Sequence, residues 1–128
     1  MRNDKLRNID LKYFKLSEFE SPDLKESGEN MDLFFLLMLD QCRDLAGIPF
    51  KVTSGFRTEK HNKKIKGVLN SSHLKGLAVD ISAKTSQERY KIINAAIKIG
   101  FKRIGIGKSF IHLDADKTKA QEVMWDYY

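Results

Sequence analysis

Hydrophobic residues recur at helical spacing in two parts of the chain, and a short polar segment between them is also predicted to be helical. Over 29–45 they fall at steps of three and four residues, which predicts a largely buried α-helix. A shorter and more polar helix is predicted over 58–65. A third helix is predicted to begin after Thr85, whose spacing to Glu88 is that of a capping box, and to end at Gly100.

Alternation of apolar and polar residues predicts the strands. It is clearest over 77–82, and shorter strands are predicted over 50–53, 103–106 and 110–114. For the last dozen residues we expect a closing helix. Because strands and helices are grouped rather than strictly alternating, the expected fold is α+β, a small and mainly antiparallel sheet flanked by helices.

Length and composition indicate one domain with a single hydrophobic core, since the chain has 128 residues of which 41% are hydrophobic. We expect a polar N-terminal lead-in over 1–28 and the functional domain over 29–128. No apolar run approaches the ~18 residues of a membrane span, and the first residues lack the apolar segment of a secretory signal. We therefore expect a protein made in soluble form in the cytoplasm without a signal peptide, and we expect a monomer.

The formal net charge of +6 favours an anionic partner, whether nucleic acid, a membrane surface or the polymers of a bacterial wall. Lysines crowd the region 60–75, but no aromatic residues interleave them as in a single-strand-binding groove. We interpret them as a solvated face and expect no nucleic-acid partner. The only cysteine, Cys42, lies in the apolar pattern of the first helix, which predicts packing rather than thiol chemistry.

Two histidines and one aspartate form the clearest chemical pattern. Asp80 and His112 each lie on the side of their predicted strand opposite the aliphatic residues, so they converge if the two strands are neighbours. His73, seven residues before Asp80, can supply a third ligand. Taken singly, each of the three is more often structural, but together they match catalytic zinc, which has three protein ligands and an open fourth place. Such a site favours hydrolysis by an activated water.

The segment SSHLKGLAVD at 71–80 carries the pattern S-x-H-x-x-G-x-A-x-D. It resembles the zinc D-alanyl-D-alanine carboxypeptidase family, peptidase family M15, which includes phage L-alanyl-D-glutamate endolysins and has the Hedgehog/DD-peptidase fold. The resemblance extends to SGFR at 54–57 and FIHLD at 110–114, and covers most of 30–115. It implies a zinc metallopeptidase of the D-Ala-D-Ala carboxypeptidase type that acts on peptidoglycan stem peptides.

Two other functions remain open beside that one. The first is an L-alanyl-D-glutamate endopeptidase, because the sequence does not show whether the substrate groove is open at both ends. The second is a non-catalytic zinc-binding or cell-wall-binding domain, since the Hedgehog domain shares the fold and the zinc pattern. In each case the cell wall is the expected site of action, reached by a phage particle or by lysis.

The resemblance assigns roles to five residues of this sequence. It implies that Zn²⁺ is held by His73, Asp80 and His112. Arg57 matches the family arginine that steadies the substrate carbonyl or its oxyanion, and is expected to serve in catalysis and substrate binding. Ser71 is a candidate for substrate binding, with capping of the loop backbone as the alternative.

The general base is less clear, because the family acid three residues before the last histidine is here Ser109. A serine cannot act as the base alone. Asp114, two residues after His112 on the same strand face, is the predicted catalytic base, and Asp116 is a weaker candidate. The alternative role of Asp114 is to orient His112 on the metal.

Overall fold

In the part of the chain that the structure describes, five β-strands form one sheet whose spatial order differs from their order in the chain. The computed structural model describes residues 10–127. The strands are β1 Val52–Ser54, β2 Ala78–Ser82, β3 Arg103–Ile106, β4 Phe110–Asp114 and β5 Val123–Asp126. They lie in the order β1-β2-β4-β3-β5, and all neighbours are antiparallel except β3 and β5. The fold is therefore α+β with a mostly antiparallel sheet, as predicted.

Three α-helices occur within residues 10–127, namely α1 Leu33–Ala46, α2 Glu59–Lys64 and α3 Ser86–Ile99. Helix α1 begins later than predicted because Asp32 is its N-cap and accepts a hydrogen bond from the next turn, while Ser27–Asn30 forms a separate 3-10 turn. Helix α3 follows the predicted capping box. None of the helices in this part of the chain is long and apolar enough to cross a bilayer.

The hydrophobic core lies between the two long helices and one face of the sheet. Aliphatic residues of β2 and β4 alternate with the polar ones and point into it, as their period predicted. Cys42 is fully buried in α1, and burial raises its pKa to about 12. The thiol is therefore not ionised at neutral pH, which agrees with a packing role.

The N-terminal segment packs against this core. Leu11, Phe14 and Phe19 are buried in it, and Leu16–Phe19 forms a 3-10 helix. The first nine residues of the predicted lead-in lie outside the described residues. The boundary at residue 28 remains a prediction.

The predicted closing helix is wrong, because Val123–Asp126 forms strand β5. This segment is rich in β-branched and aromatic residues, and its side chains alternate between two sides. Pairing with the otherwise free edge of β3 satisfies its backbone groups, as in the bond from the Val123 backbone N–H to the Lys102 carbonyl at 3.0 Å.

Candidate metal centre

One row of paired residues crosses all five strands, and its side chains lie on the face opposite the core. The register pairs Ser54 with Asp80, Asp80 with His112, His112 with Gly105, and Gly105 with Trp125. Directly paired residues project to the same face, with Cβ atoms about 4.5–5.5 Å apart. The neighbouring strands β2 and β4 thus bring Asp80 and His112 together.

His73 reaches this row from the 3-10 turn Ser72–Lys75, which immediately precedes β2. At its start the Ser71 hydroxyl accepts a hydrogen bond from the His73 backbone N–H at 3.2 Å. Gly76 ends the turn at a φ of 70°, and a Cβ there would lie 2.2 Å from the Asn30 carbonyl oxygen, so only glycine fits. The capping role of Ser71 is therefore observed, and its role in substrate binding remains a prediction.

The three predicted ligands lie close enough together to bind one metal ion. One ligand atom from each of His73, Asp80 and His112 lies within 4.8 Å of the others. Asp80 Oδ1 is 3.3 Å from His73 Nε2 and 2.9 Å from His112 Nδ1. Each of the three side chains is at most 13% exposed, which keeps bulk water from competing for the donors.

Each histidine is held at the ring nitrogen that points away from Asp80. His73 Nδ1 lies 2.7 Å from the Gly55 carbonyl oxygen, which can only accept, so Nδ1 carries the proton and Nε2 has the lone pair. His112 Nε2 lies 2.7 Å from Asp114 Oδ2, which in the same way leaves the Nδ1 lone pair for a metal. Two neutral imidazoles and one carboxylate are a donor set that suits a divalent transition metal.

The charges of the cluster favour protonation of one histidine before a metal binds. Burial lowers the pKa of His73. Burial also opposes charge on His112, but hydrogen bonds with Asp114 and Asp80 outweigh it and raise the pKa of His112. Burial alone would raise the pKa of Asp80, yet hydrogen bonds with the two histidines hold it well below its usual range. A metal must therefore displace a proton that lies mainly on His112.

The cluster lies in a cleft of about 440 Å³. Cationic side chains outnumber carboxylates in its lining, which favours anionic ligands even before a metal adds its charge. The cationic residues are Arg57, Lys66, Arg103 and Lys119, and the carboxylates are Asp80 and Asp114.

Arg57 is fixed beside the cluster by three contacts. Its Nε donates to Ser54 Oγ at 3.0 Å, its Nη1 to Asn62 Oδ1 at 3.1 Å and its Nη2 to Asp80 Oδ2 at 3.4 Å. Burial lowers the pKa of Arg57 and Asp80 counteracts it, and a guanidinium remains charged in proteins. A fixed positive charge therefore lies in the cleft next to one metal ligand, while the catalytic and substrate-binding roles of Arg57 remain predictions.

Asp114 is almost fully engaged by hydrogen bonds. Its Oδ2 contacts His112 Nε2, while its Oδ1 accepts from Arg103 Nε at 2.7 Å and from the Asp116 backbone N–H at 3.1 Å. Burial would raise the pKa of Asp114, but the hydrogen bond with His112 lowers it. These contacts favour the alternative in which Asp114 orients His112. Its role as general base remains a prediction.

The other two positions considered for the base lie apart from the cleft. Asp116 is 1% exposed and binds Ser72 Oγ at 2.8 Å and Lys75 Nζ at 3.0 Å, so it ties the chain after β4 to the turn that carries His73. Ser109 is exposed at the connection between β3 and β4. Neither is among the described residues that line the cleft.

Trp125 and Tyr127 also line the cleft, and the sequence reasoning missed both. The Trp125 ring lies 5.6 Å from the His112 ring, and the Arg103 guanidinium lies 4.9 Å from the Trp125 ring. Large residues alternate with others over 123–127, which is the pattern of a strand and could have identified both residues. The prediction of a helix in this segment obscured that pattern.

The sheet thus carries a buried His-Asp-His cluster that could hold a metal ion on one face and the hydrophobic core on the other. A family model described as Peptidase M15 matches residues 12–114. The chain therefore belongs to the Peptidase M15 family and is a metallopeptidase, as the motif resemblance implied.

One solved structure with the same fold is the crystal structure of the Serratia marcescens L-Ala D-Glu endopeptidase ChiX. The similarity has a TM-score of 0.50 at 19% sequence identity, and covers 68% of this chain and 81% of that chain. At this identity the similarity shows a shared fold. A comparison with curated protein sequences finds no match.

Proposed function

We propose that the protein is a zinc endopeptidase that hydrolyses the bond between L-alanine and D-glutamate in peptidoglycan stem peptides. The observation that carries this proposal is the buried cluster of His73, Asp80 and His112 in the cleft of an M15 family member. Two imidazoles and one carboxylate with a fourth place open are the ligands of catalytic zinc. Zinc held there would supply a Lewis acid and a water of lowered pKa.

Two observations support the choice of the bond between L-alanine and D-glutamate. ChiX, which has a similar fold, is an L-Ala D-Glu endopeptidase. A D-glutamyl residue also brings a carboxylate into a cleft lined by Arg57, Lys66, Arg103 and Lys119. The D-Ala-D-Ala carboxypeptidase activity is the second candidate, because its motif is present and its substrate ends in a carboxylate that would meet the same charges.

The residues around the cluster take complementary roles in this proposal. Arg57 binds the scissile carbonyl oxygen and stabilises its negative charge as the water adds. Asp114 holds the His112 ring in the tautomer that presents Nδ1 to the metal, and Ser71 fixes the backbone of His73. The peptide is bound on the open face of the sheet, away from the hydrophobic core.

The deciding experiment is mass spectrometry of purified muropeptides after incubation with the zinc-loaded protein. Peptides with a new D-glutamate N-terminus support the proposal, and loss of a terminal D-alanine supports the carboxypeptidase instead. Bound zinc without any hydrolysis would indicate a non-catalytic domain.

Zinc stoichiometry tests the same proposal independently. Elemental analysis should find one zinc per chain in the parent, and much less in His112→Ala and Asp80→Ala. A parent protein that is purified without chelators, offered zinc and still metal-free would refute the proposal.

A further inference from the structure

Tyr127 is a side chain of the cleft for which the proposed mechanism has no role. It directly follows β5, and its backbone N–H donates to the Ile106 carbonyl at 3.2 Å, so the strand pairing continues to it. It lies two residues after Trp125 and therefore on the same side of the strand, the side that faces His112. Its side chain lines the cleft and is 52% exposed, which leaves it accessible to a substrate.

The position of the Tyr127 hydroxyl is defined by a glycine beneath it. A Cβ at Gly105 would lie 2.8 Å from Tyr127 Oη and 2.9 Å from Trp125 Nε1. Gly105 is the direct partner of His112 in the sheet, so Oη lies over the position next to a metal ligand. Ring contacts with Phe110 at 5.2 Å and with Trp125 at 6.3 Å hold the phenol there.

The hydroxyl is positioned to donate a hydrogen bond into the cleft. The Trp125 indole N–H is a donor only, and both Trp125 Nε1 and Tyr127 Oη lie over the same residue, Gly105. The phenol O–H faces the cleft and can donate one hydrogen bond to an acceptor there. Burial raises the pKa of Tyr127, and the charge of Asp80 adds to the effect, so the phenol is neutral at pH 7.

We propose that Tyr127 is a catalytic residue whose hydroxyl donates a hydrogen bond to the scissile carbonyl oxygen as it becomes an oxyanion. This inference rests on the proposed peptide hydrolysis at the same site. The attacking water has lost one proton to solvent and reacts as hydroxide. Its oxygen bonds to the carbonyl carbon, the carbonyl π-electrons move to the carbonyl oxygen, and the phenol proton stays on Tyr127 while hydrogen-bonded to that oxygen. Arg57 contacts Ser54 at one end of the row of paired residues that crosses the sheet. Tyr127 follows Trp125, which lies at the other end of that row, so the two donors flank the metal ligands.

The test compares Tyr127→Phe with Tyr90→Phe, because Tyr90 is an exposed tyrosine of α3 remote from the cleft. Tyr127→Phe should lower kcat about 10²- to 10³-fold with little change in KM, as expected for the loss of one oxyanion donor. Tyr90→Phe should match the parent. Both variants keep the aromatic ring, and zinc content and thermal unfolding should stay unchanged.

Calorimetry with two ligands measures binding affinities that distinguish a catalytic role of Tyr127 from a purely structural one. A phosphinate analogue of the scissile bond mimics the tetrahedral intermediate, so Tyr127→Phe should weaken its binding by about the same factor as kcat. Affinity for the product peptide should not change. Equal phosphinate affinity in parent and Tyr127→Phe would overturn the role of Tyr127.

The outcomes also separate this inference from the proposed function. If the parent cleaves no peptide, the proposed function fails, whatever Tyr127→Phe does. If the parent cleaves and Tyr127→Phe retains parental kcat, only the role of Tyr127 fails. Trp125→Phe retains a ring but removes the indole N–H, and a smaller loss of kcat than in Tyr127→Phe is expected because the phenol proton remains.

Discussion

Replacing Asp114 by asparagine distinguishes an orienting residue from a general base. The carboxylate accepts hydrogen bonds at both oxygens, from His112 and from Arg103. An amide has one oxygen and one NH₂ group, so it can accept from only one side. If the NH₂ faces His112, the ring proton must move to Nδ1 and block the metal-facing nitrogen. If the NH₂ group faces Arg103 instead, the largely buried Arg103 guanidinium loses the carboxylate oxygen to which it donates.

The magnitudes of the two roles differ enough to be measured. Loss of a residue that orients a metal-bound histidine lowers metal affinity about 10- to 100-fold. Loss of a hydrogen bond to a charged group lowers the free energy of unfolding by about 1.5–3 kcal/mol. Removal of a general base instead slows turnover about 10²- to 10⁴-fold while metal affinity is retained.

Competition with a chromophoric chelator gives the zinc affinity, and turnover is measured at saturating zinc. For Asp114→Asn we expect weaker zinc binding, with most of the turnover recovered when zinc is in excess. Parental zinc affinity combined with turnover lost at saturating zinc would refute the orienting role and support the general base.

The matched control for this experiment is Asp116→Asn, which removes another buried carboxylate two residues along the chain, outside the cleft. It should lower stability through its lost contacts with Ser72 and Lys75, and it should leave zinc affinity near that of the parent. A folded, zinc-bound and inactive Asp116→Asn would assign the base to Asp116.

Three further predictions follow from the contacts and the pKa shifts. Zinc binding should weaken as pH falls through the raised pKa of His112, because the metal must then displace a proton. Calorimetry at acidic pH in buffers of different ionisation enthalpy would contradict this by showing no proton release. The pKa of Asp116 is lowered by its hydrogen bonds against the opposing effect of burial, so its stabilisation is complete above the unfolded value of about 3.9 and declines at lower pH. The difference in unfolding free energy between parent and Asp116→Asn should therefore be constant near neutral pH and shrink in acid. Cys42→Ala should retain zinc and turnover and lose about 1–2 kcal/mol of stability, and loss of turnover in a folded protein would reveal a thiol function.

The metal cluster could be predicted from sequence because a strand period fixes which face a residue occupies. Burial of Val79 and Ile111 on one side places Asp80 and His112 on the other, and a slip of one residue would bury the charged groups instead. Only the adjacency of the two strands had to be assumed. His73 was within reach because it is close to β2 along the chain.

Several hydrogen bonds around the cluster could not be predicted, because they join residues that are distant in sequence. The Gly55 carbonyl that fixes the His73 tautomer lies 18 residues away. Arg103, which donates to Asp114, belongs to β3, and its presence changes the role that the position of Asp114 suggests. A general base and an orienting residue would both lie close to His112 along β4. They are distinguished only by whether the carboxylate oxygens already accept hydrogen bonds from the protein.

Strand β5 shows why the aromatic side of the cleft required the tertiary structure. A strand of four residues has little stability of its own, and β5 forms because the edge of β3 is available to pair with it. The parallel pairing of β3 with β5 places Trp125 beside Gly105. The antiparallel pairing of β3 with β4 places Gly105 beside His112. Gly105 has no side chain to hold the aromatic residues away from the sheet. The arrangement of Trp125 and Tyr127 beside the metal ligands is therefore a consequence of strand order and of one glycine, neither of which the local pattern over 123–127 contains.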